Sequence, residues 1–310
     1  MQRRALGNSD LEVSPIALGC LSMGADGSWG PVNDNESIAA IQTALDLGIN
    51  VIDTSPYQGG GHSERLVGKA IQARRDQVII STKCGLFHDP DDSLPRRCLK
   101  KDAVLHECEG SLRRLRVETI DLYQCHWPDP KTPIAETMEA MELLLRQGKI
   151  RGIGLCNYGC EGLHAARKAG TVHACQMLLN MLQRQVTDEL LPYCQEYRMG
   201  VLAYSSLCKG LLTGKFDSSS RFQDLRRNHP EFLGVRFARN LAILEKLRPI
   251  SQNYGKTVGQ LALNWACNYP GVTAVIVGAK RPSQVRENVG ALGWQISPDD
   301  LDEIDAILRA

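Results

Sequence analysis

No apolar run in this chain approaches the roughly 20 residues that a membrane-spanning helix needs. Charge of one sign is also missing. Lys and Arg number 36 against 35 Asp and Glu, a formal net charge of +1, so neither nucleic acid nor an anionic membrane surface is expected as a partner. Arg3 and Arg4 give the N-terminus positive charge, but no apolar segment follows, so no secretory signal is expected and the protein is placed in the cytoplasm. The 11 cysteines include no C-x-x-C pair, which removes the main support for a zinc or redox-motif reading. Several lie inside apolar runs, where a reduced cysteine acts as a small hydrophobe. No metal site is expected. Repeats, low-complexity tracts and linkers are likewise missing, so residues 1–310 read as a single domain.

What is present is alternation. Short runs rich in Val, Ile and Leu occur at Ile16–Cys20, Asn50–Asp53, Val78–Lys83, Ile120–Cys125, Gly152–Leu155, Ala174–Met177, Val201–Tyr204 and Val272–Ile276. Each fits a strand covered on both faces. Helical patterns separate them at Asn35–Leu47, Glu64–Ala73, Lys101–Arg114, Pro133–Gln147, Tyr158–Ala169 and Asp188–Glu196. Eight strands with intervening helices in 310 residues point to an α/β fold, a (β/α)₈ TIM barrel. A doubly wound sheet is the alternative, but no G-x-G-x-x-G follows the first strand. Residues Arg4–Leu6 and Leu11–Val13 read as an N-terminal β-hairpin capping the barrel's bottom. The polar, glycine-containing stretch from Ser206 to Gly234 reads as a long covering loop.

A barrel of this kind builds its site at the C-terminal ends of the strands. In order, those ends are Asp53, Lys83, His126, Asn157, Gln176 and Tyr204. Asp53 and Lys83 would be carried on neighbouring strands, out of water, where each charge needs the other. His126 can hydrogen-bond a carbonyl oxygen. The Tyr204 ring can stack on a flat cofactor.

At these residues the chain resembles the aldo-keto reductase family. The resemblance runs through Gly48–Pro56 with Gly61-His62-Ser63-Glu64, Lys83 in Ile80–Lys83, and His126 in Asp121–Pro128. It continues through Tyr204-Ser205, Gly210–Lys215 and Gly278–Arg281 with Gln284, Glu287 and Asn288. It implies NADPH (or NADP⁺) lying over the barrel mouth and a hydride delivered to the carbonyl carbon of a small aldehyde or ketone, or the reverse oxidation of an alcohol. The implied cofactor contacts are Gly19, Cys20, Asp53, Cys156, Asn157, Gln176, Tyr204, Ser205, Leu207, Gly210, Lys215, Gly278, Lys280, Gln284, Glu287 and Asn288. Lys280 and Arg281 beside a helix start would suit the extra 2′-phosphate, favouring NADPH over NADH. Tyr57, His126, Trp127 and Trp29 are candidate substrate residues, and aromatic walls suit sugar-like compounds.

The family's acid is a tyrosine five positions after the aspartate and before a glycine. Here that position holds Gln58, with Tyr57 one residue earlier and Gly59 next. The expected catalytic set is therefore Asp53, Gln58, Lys83 and His126. A glutamine amide cannot give up a proton near neutral pH. Three accounts stand open. Gln58 is an introduced substitution; or it is natural, with His126 or water as donor, Tyr57 being disfavoured because neighbouring side chains on a loop seldom point the same way; or the protein is a weakly active NADPH-binding sensor, as the resembling β subunits of voltage-gated potassium channels suggest. Milder departures are Cys156 in place of serine, Ser206 in place of proline and Leu179 in place of an aromatic residue.

Overall fold

The computed structural model of the chain describes residues 1–24, 27, 29–87 and 95–309. Eight parallel strands close into a barrel: β1 (Ile16–Gly19), β2 (Val51–Asp53), β3 (Ile79–Cys84), β4 (Ile120–Cys125), β5 (Ile150–Cys156), β6 (Ala174–Leu178), β7 (Gly200–Tyr204) and β8 (Ala274–Gly278). They follow one another around the barrel in chain order, and β8 pairs with β1 to complete it. Closure rules out the open doubly wound sheet. The last strand lies two residues later than the sequence pattern suggests, because its pairing with β1 carries on through Gly278 opposite Gly19.

Helices α1 (Asp34–Asp46), α2 (His62–Ile71), α3 (Lys101–Leu115), α4 (Ile134–Arg146), α5 (Cys160–Ala169) and α6 (Leu190–Glu196) alternate with the strands. Two helices, α7 (Gly234–Asn253) and α8 (Val258–Asn268), precede β8; α9 (Pro282–Val289) and α10 (Pro298–Arg309) follow it. Helix α2 starts two residues before the predicted Glu64, at the left-handed Gly61. Nine of the eleven cysteines are buried and all are free thiols, in keeping with their role as small core side chains.

Side chains on a strand alternate between the helix layer and the barrel interior. Inside, the lower positions are apolar: Val51, Ile79, Leu122, Ala174 and Leu202 form one buried cluster. The N-terminal hairpin completes it from below. Arg4 pairs with Val13, and the fully buried Leu6, Leu11 and Val13 plug the barrel. Each such side chain contributes about 1.5–3 kcal/mol by leaving water. Gly200 makes this possible, because a Cβ there would lie 2.5 Å from Leu6 Cδ1. Two residues higher on the same strands the interior turns polar, with Asp53, Ser81, Gln124, Gln176 and Tyr204.

The expected covering loop is more ordered than its composition suggests. It contains 3₁₀ turns at Cys208–Thr213, Leu225–Asn228 and Pro230–Phe232. Four of the chain's five phenylalanines gather there and at the start of α7. Phe222 meets Phe216, Phe232 and Phe237 edge-on at 5.0, 4.9 and 5.8 Å. Such contacts give the strap a small core of its own.

Candidate active site

The floor of the mouth is an ion pair. Asp53 ends β2 and Lys83 is the penultimate residue of β3. Lys83 Nζ lies 2.7 Å from Asp53 Oδ1 and also donates to the Thr54 carbonyl at 3.0 Å. Both side chains are buried, so the pair's Coulomb attraction is weakly screened and each charge depends on the other.

From Asp53 a chain of hydrogen bonds crosses the barrel. Ser81 Oγ donates to Asp53 Oδ1 at 2.9 Å, and Gln124 Nε2 donates to Ser81 Oγ at 2.9 Å and to Gln176 Oε1 at 2.8 Å. Cys156 Sγ closes on the same Gln176 oxygen at 3.2 Å. Register explains the path: Asp53 sits opposite Ser81, Lys83 opposite Gln124, and Cys156 opposite Gln176. Ser81 and Gln124 were not among the expected site residues. The signal was available, since Gln124 stands two positions before His126 and a period of two puts both on the interior side.

His126 follows β4, and its backbone N–H donates to the Cys84 carbonyl at 2.9 Å. Burial, reinforced by the Lys83 ammonium, lowers its imidazole to about 3. At neutral pH the ring is uncharged and can orient an oxygen without carrying an acidic proton. The half-buried Tyr57 ring faces it edge-on, with centroids 6.3 Å apart.

Gln58 behaves differently from its neighbour. Its side chain is 4% exposed, and Oε1 has no hydrogen-bond partner among the described residues. The backbone after it is pressed against the loop beyond β1: a Cβ on Gly59 would lie 1.7 Å from the Gly24 carbonyl oxygen. Tyr57 thus packs on the His126 ring, while the Gln58 side chain is buried. Trp127, next to His126, is covered by the Arg97 guanidinium at 5.1 Å. Arg97 belongs to a two-stranded hairpin, Leu86–Phe87 with Arg96–Arg97, that the sequence pattern does not reveal.

On the opposite side, Tyr204 Oη donates to Asn157 Oδ1 at 2.8 Å while Asn157 Nδ2 donates to the His126 carbonyl at 2.9 Å. Asn157 and Ser205 both sit at positive φ, 64° and 59°, a conformation that costs non-glycine residues energy and marks built sites. Burial pushes the Tyr204 phenol up to about 12, so it remains a neutral donor and its ring is pinned by Asn157. Gly19 pairs with both Asp53 and Gly278, and the Cys20 N–H donates to the Asp53 carbonyl at 2.8 Å.

Cations collect where the strap meets the first loop and the last strand. Lys280 Nζ donates to the Trp29 carbonyl at 2.7 Å, and its N–H to Gln284 Oε1 at 2.8 Å. Arg226 and Lys209 approach the Trp29 ring at 5.8 and 6.0 Å. Arg226 is held by Asp224 and also touches Phe216 at 5.4 Å. Lys215 stands 4.9 Å over the same Phe216. Burial lowers the Lys215 ammonium below the usual lysine range, and repulsion by Arg226 and Lys280 lowers it further. Cations that repel one another, beside a buried Trp29 indole N–H without a partner among the described residues, suit a polyanion. Trp29 thus stands among the strap cations. The Leu207 carbonyl accepts from the N–H of Gly210 at 2.9 Å, shaping the strap's first turn. Glu287 accepts from Thr257 Oγ1 at 2.8 Å, and Asn288 is buried. Arg281 pairs with Glu36 at 3.3 Å in the open.

Behind β3 lies a second polar layer that sequence reasoning missed. The fully buried Glu64 accepts from Thr82 Oγ1 at 2.6 Å and pairs with Arg114. Glu107 Oε2 accepts from the Gly85 N–H at 2.6 Å. Thr82 and Gly85 flank Lys83 in sequence, so these bonds fix the strand that carries the lysine. Among the described residues no group of three or more His, Cys, Asp or Glu is arranged to hold a metal, and no helix is long and apolar enough to cross a membrane.

Comparison with known proteins agrees with this geometry. The chain is 38% identical to the aldo-keto reductase YhdN of Bacillus subtilis, covering 100% of this chain and 94% of that protein. It is 34% identical to the NADH-specific methylglyoxal reductase of Escherichia coli, over 97% of this chain and 96% of that one. The structure of a glycerol dehydrogenase from Gluconobacter oxydans superposes with a TM-score of 0.91 at 37% identity, covering 99% and 94% of the two chains. An aldo/keto reductase from Klebsiella pneumoniae in complex with NADP and acetate superposes at 0.78 with 28% identity, covering 99% and 96%. The model of the Aldo/keto reductase family matches residues 15–309. With a closed barrel, a buried Asp53–Lys83 pair and His126 at its mouth, the chain belongs to the aldo/keto reductase family and is an oxidoreductase.

Proposed function

We propose that the protein is an NADPH-dependent reductase of small, oxygen-rich aldehydes or ketones, running in reverse on the matching alcohols. The observation that carries this is the convergence of the Asp53–Lys83 pair, His126, Asn157 and Tyr204 on one mouth, flanked by Lys209, Lys215, Arg226 and Lys280. Bound there, the dinucleotide supplies the hydride. Tyr204 offers a ring fixed by Asn157 for stacking, and Gln176 and Asn157 offer amide partners for a carboxamide. Lys280 and the strap cations would hold the phosphates. Neutral His126 would orient the carbonyl oxygen above Lys83, whose charge favours the developing oxyanion. Relatives acting on methylglyoxal and glycerol make small polyoxygenated compounds the substrate class to try first.

Titrating NADPH and NADH against the protein, then following reduction of methylglyoxal and glyceraldehyde, tests this reading. Tighter NADPH binding, weakened by Lys280→Met while NADH binding holds, is expected. Gln58 at the usual acid position supports a second reading, a dinucleotide sensor, for which both cofactors bind and no carbonyl is reduced.

A further inference from the structure

Reduction of a carbonyl ends with a proton on oxygen, and the residue at the family's acid position cannot deliver one. Gln58 is an amide and buried, so it has no proton to give. Of the groups that can carry a proton nearby, His126 is neutral at physiological pH, because burial and Lys83 oppose its protonation. Its N–H can orient an oxygen but is a poor acid. Cys20 is fully buried, and burial followed by the Asp53 charge pushes its thiol well above the usual range. Tyr204 ends β7, and its ring is the one that Asn157 holds for stacking on the cofactor. Tyr57 remains. Its ring meets the His126 ring edge-on at 6.3 Å, it is half-buried at the mouth, and it lies four residues from Asp53 on the loop that leaves β2.

Resting on the reductase reading above, we propose that Tyr57 is the catalytic proton donor, acting from one position earlier than the family's tyrosine. His126 orients the carbonyl oxygen. As the hydride adds to the carbonyl carbon, the C=O π pair moves onto oxygen and a new O–H bond forms with the Tyr57 proton. The phenol O–H electron pair stays on Tyr57 as phenolate, which regains a proton from water at the half-exposed mouth. The substrate is reduced and the dinucleotide oxidised. In the alcohol direction the same phenolate takes the hydroxyl proton. The groups that set the electrostatic environment are Lys83, Asp53 and His126.

The test compares wild type, Tyr57→Phe and the double variant Tyr57→Phe/Gln58→Tyr. NADPH affinity is read by fluorescence and methylglyoxal reduction across pH. Tyr57→Phe is expected to lower kcat by about 10²–10⁴-fold with little change in NADPH affinity. The alkaline limb of the pH profile disappears with it. The double variant recovers part of the turnover, because a phenol returns near the same oxygen. Tyr57→Phe with undiminished kcat and an intact alkaline limb overturns the proposal. Should Tyr57→Phe lose NADPH binding along with turnover, fluorotyrosine at position 57 decides. An alkaline limb moved toward acid supports Tyr57, and an unmoved limb overturns it. A wild type that neither binds NADPH nor reduces any carbonyl refutes the reductase reading instead.

Discussion

Lys83 Nζ and Asp53 Oδ1 stand 2.7 Å apart with side chains only 4% and 6% exposed, on adjacent strands at the one level where the barrel interior changes from apolar to polar. Removing either partner strands the other charge. Lys83→Met and Asp53→Asn should each lower unfolding free energy by about 3–5 kcal/mol and abolish turnover, because each leaves a buried charge without its partner. Urea unfolding with parallel kcat measurements checks this; a double variant Lys83→Met/Asp53→Asn that loses the full sum of the two single losses would speak against a charge-based cause.

Gln124 joins that pair to Gln176. One amide nitrogen donates to both Ser81 Oγ and Gln176 Oε1, so Gln124→Leu leaves two buried acceptors short of a partner. A loss of about 1–3 kcal/mol in stability is expected, with weaker NADPH binding through a loosened Gln176. Cofactor titration of Gln124→Leu, Gln176→Leu and the double variant should show less than additive effects. Full additivity would mean the two glutamines act independently.

How much of this was legible beforehand depended on the residue. Asp53, Lys83 and His126 each close an apolar run, so strand ends and the polar ring could be read from periodicity. The contact of Tyr57 with His126 could not, because it joins two loops far apart in the sequence and no local pattern encodes it. The hairpin of Leu86–Phe87 with Arg96–Arg97 has strands of two residues, too short for alternation to show. Nor does spacing show that Phe216, Phe222, Phe232 and Phe237 pack together, since their contacts are tertiary.

Glu107 predicts a pH dependence of stability. Its carboxyl is raised from 4.5 to about 7, chiefly by burial. Between those values the folded state holds a proton that the unfolded state has released, so this group's contribution is full below about 4.5 and is lost as pH rises to 7. His126, lowered from 6.5 to about 3, has the opposite sign: its neutral form costs stability as pH falls from 6.5 toward 3. Glu107→Gln keeps an acceptor for the Gly85 N–H and removes the first slope. Relative to wild type it should gain stability as pH rises from 5 to 8, by on the order of 1–3 kcal/mol. Thermal unfolding across that range checks the sign, and a flat difference would contradict it.

Arg226 ties the strap to Trp29, with its guanidinium 5.8 Å from that ring and 5.7 Å from Phe222. Arg226→Ala should weaken NADPH binding about tenfold at low salt, and less at high salt as screening takes over. Faster cofactor release in stopped-flow fluorescence is the expected companion. Unchanged affinity and release would show that the strap does not face the dinucleotide.

The central claim is that this mouth passes a hydride from a bound nicotinamide to a carbonyl carbon. Incubating the protein with NADPH deuterated at the reactive ring carbon and with methylglyoxal, then analysing the product by mass spectrometry, tests it most directly. Deuterium on the former carbonyl carbon, absent with Lys83→Met, is the predicted result; a saturated complex that yields no labelled product would contradict it.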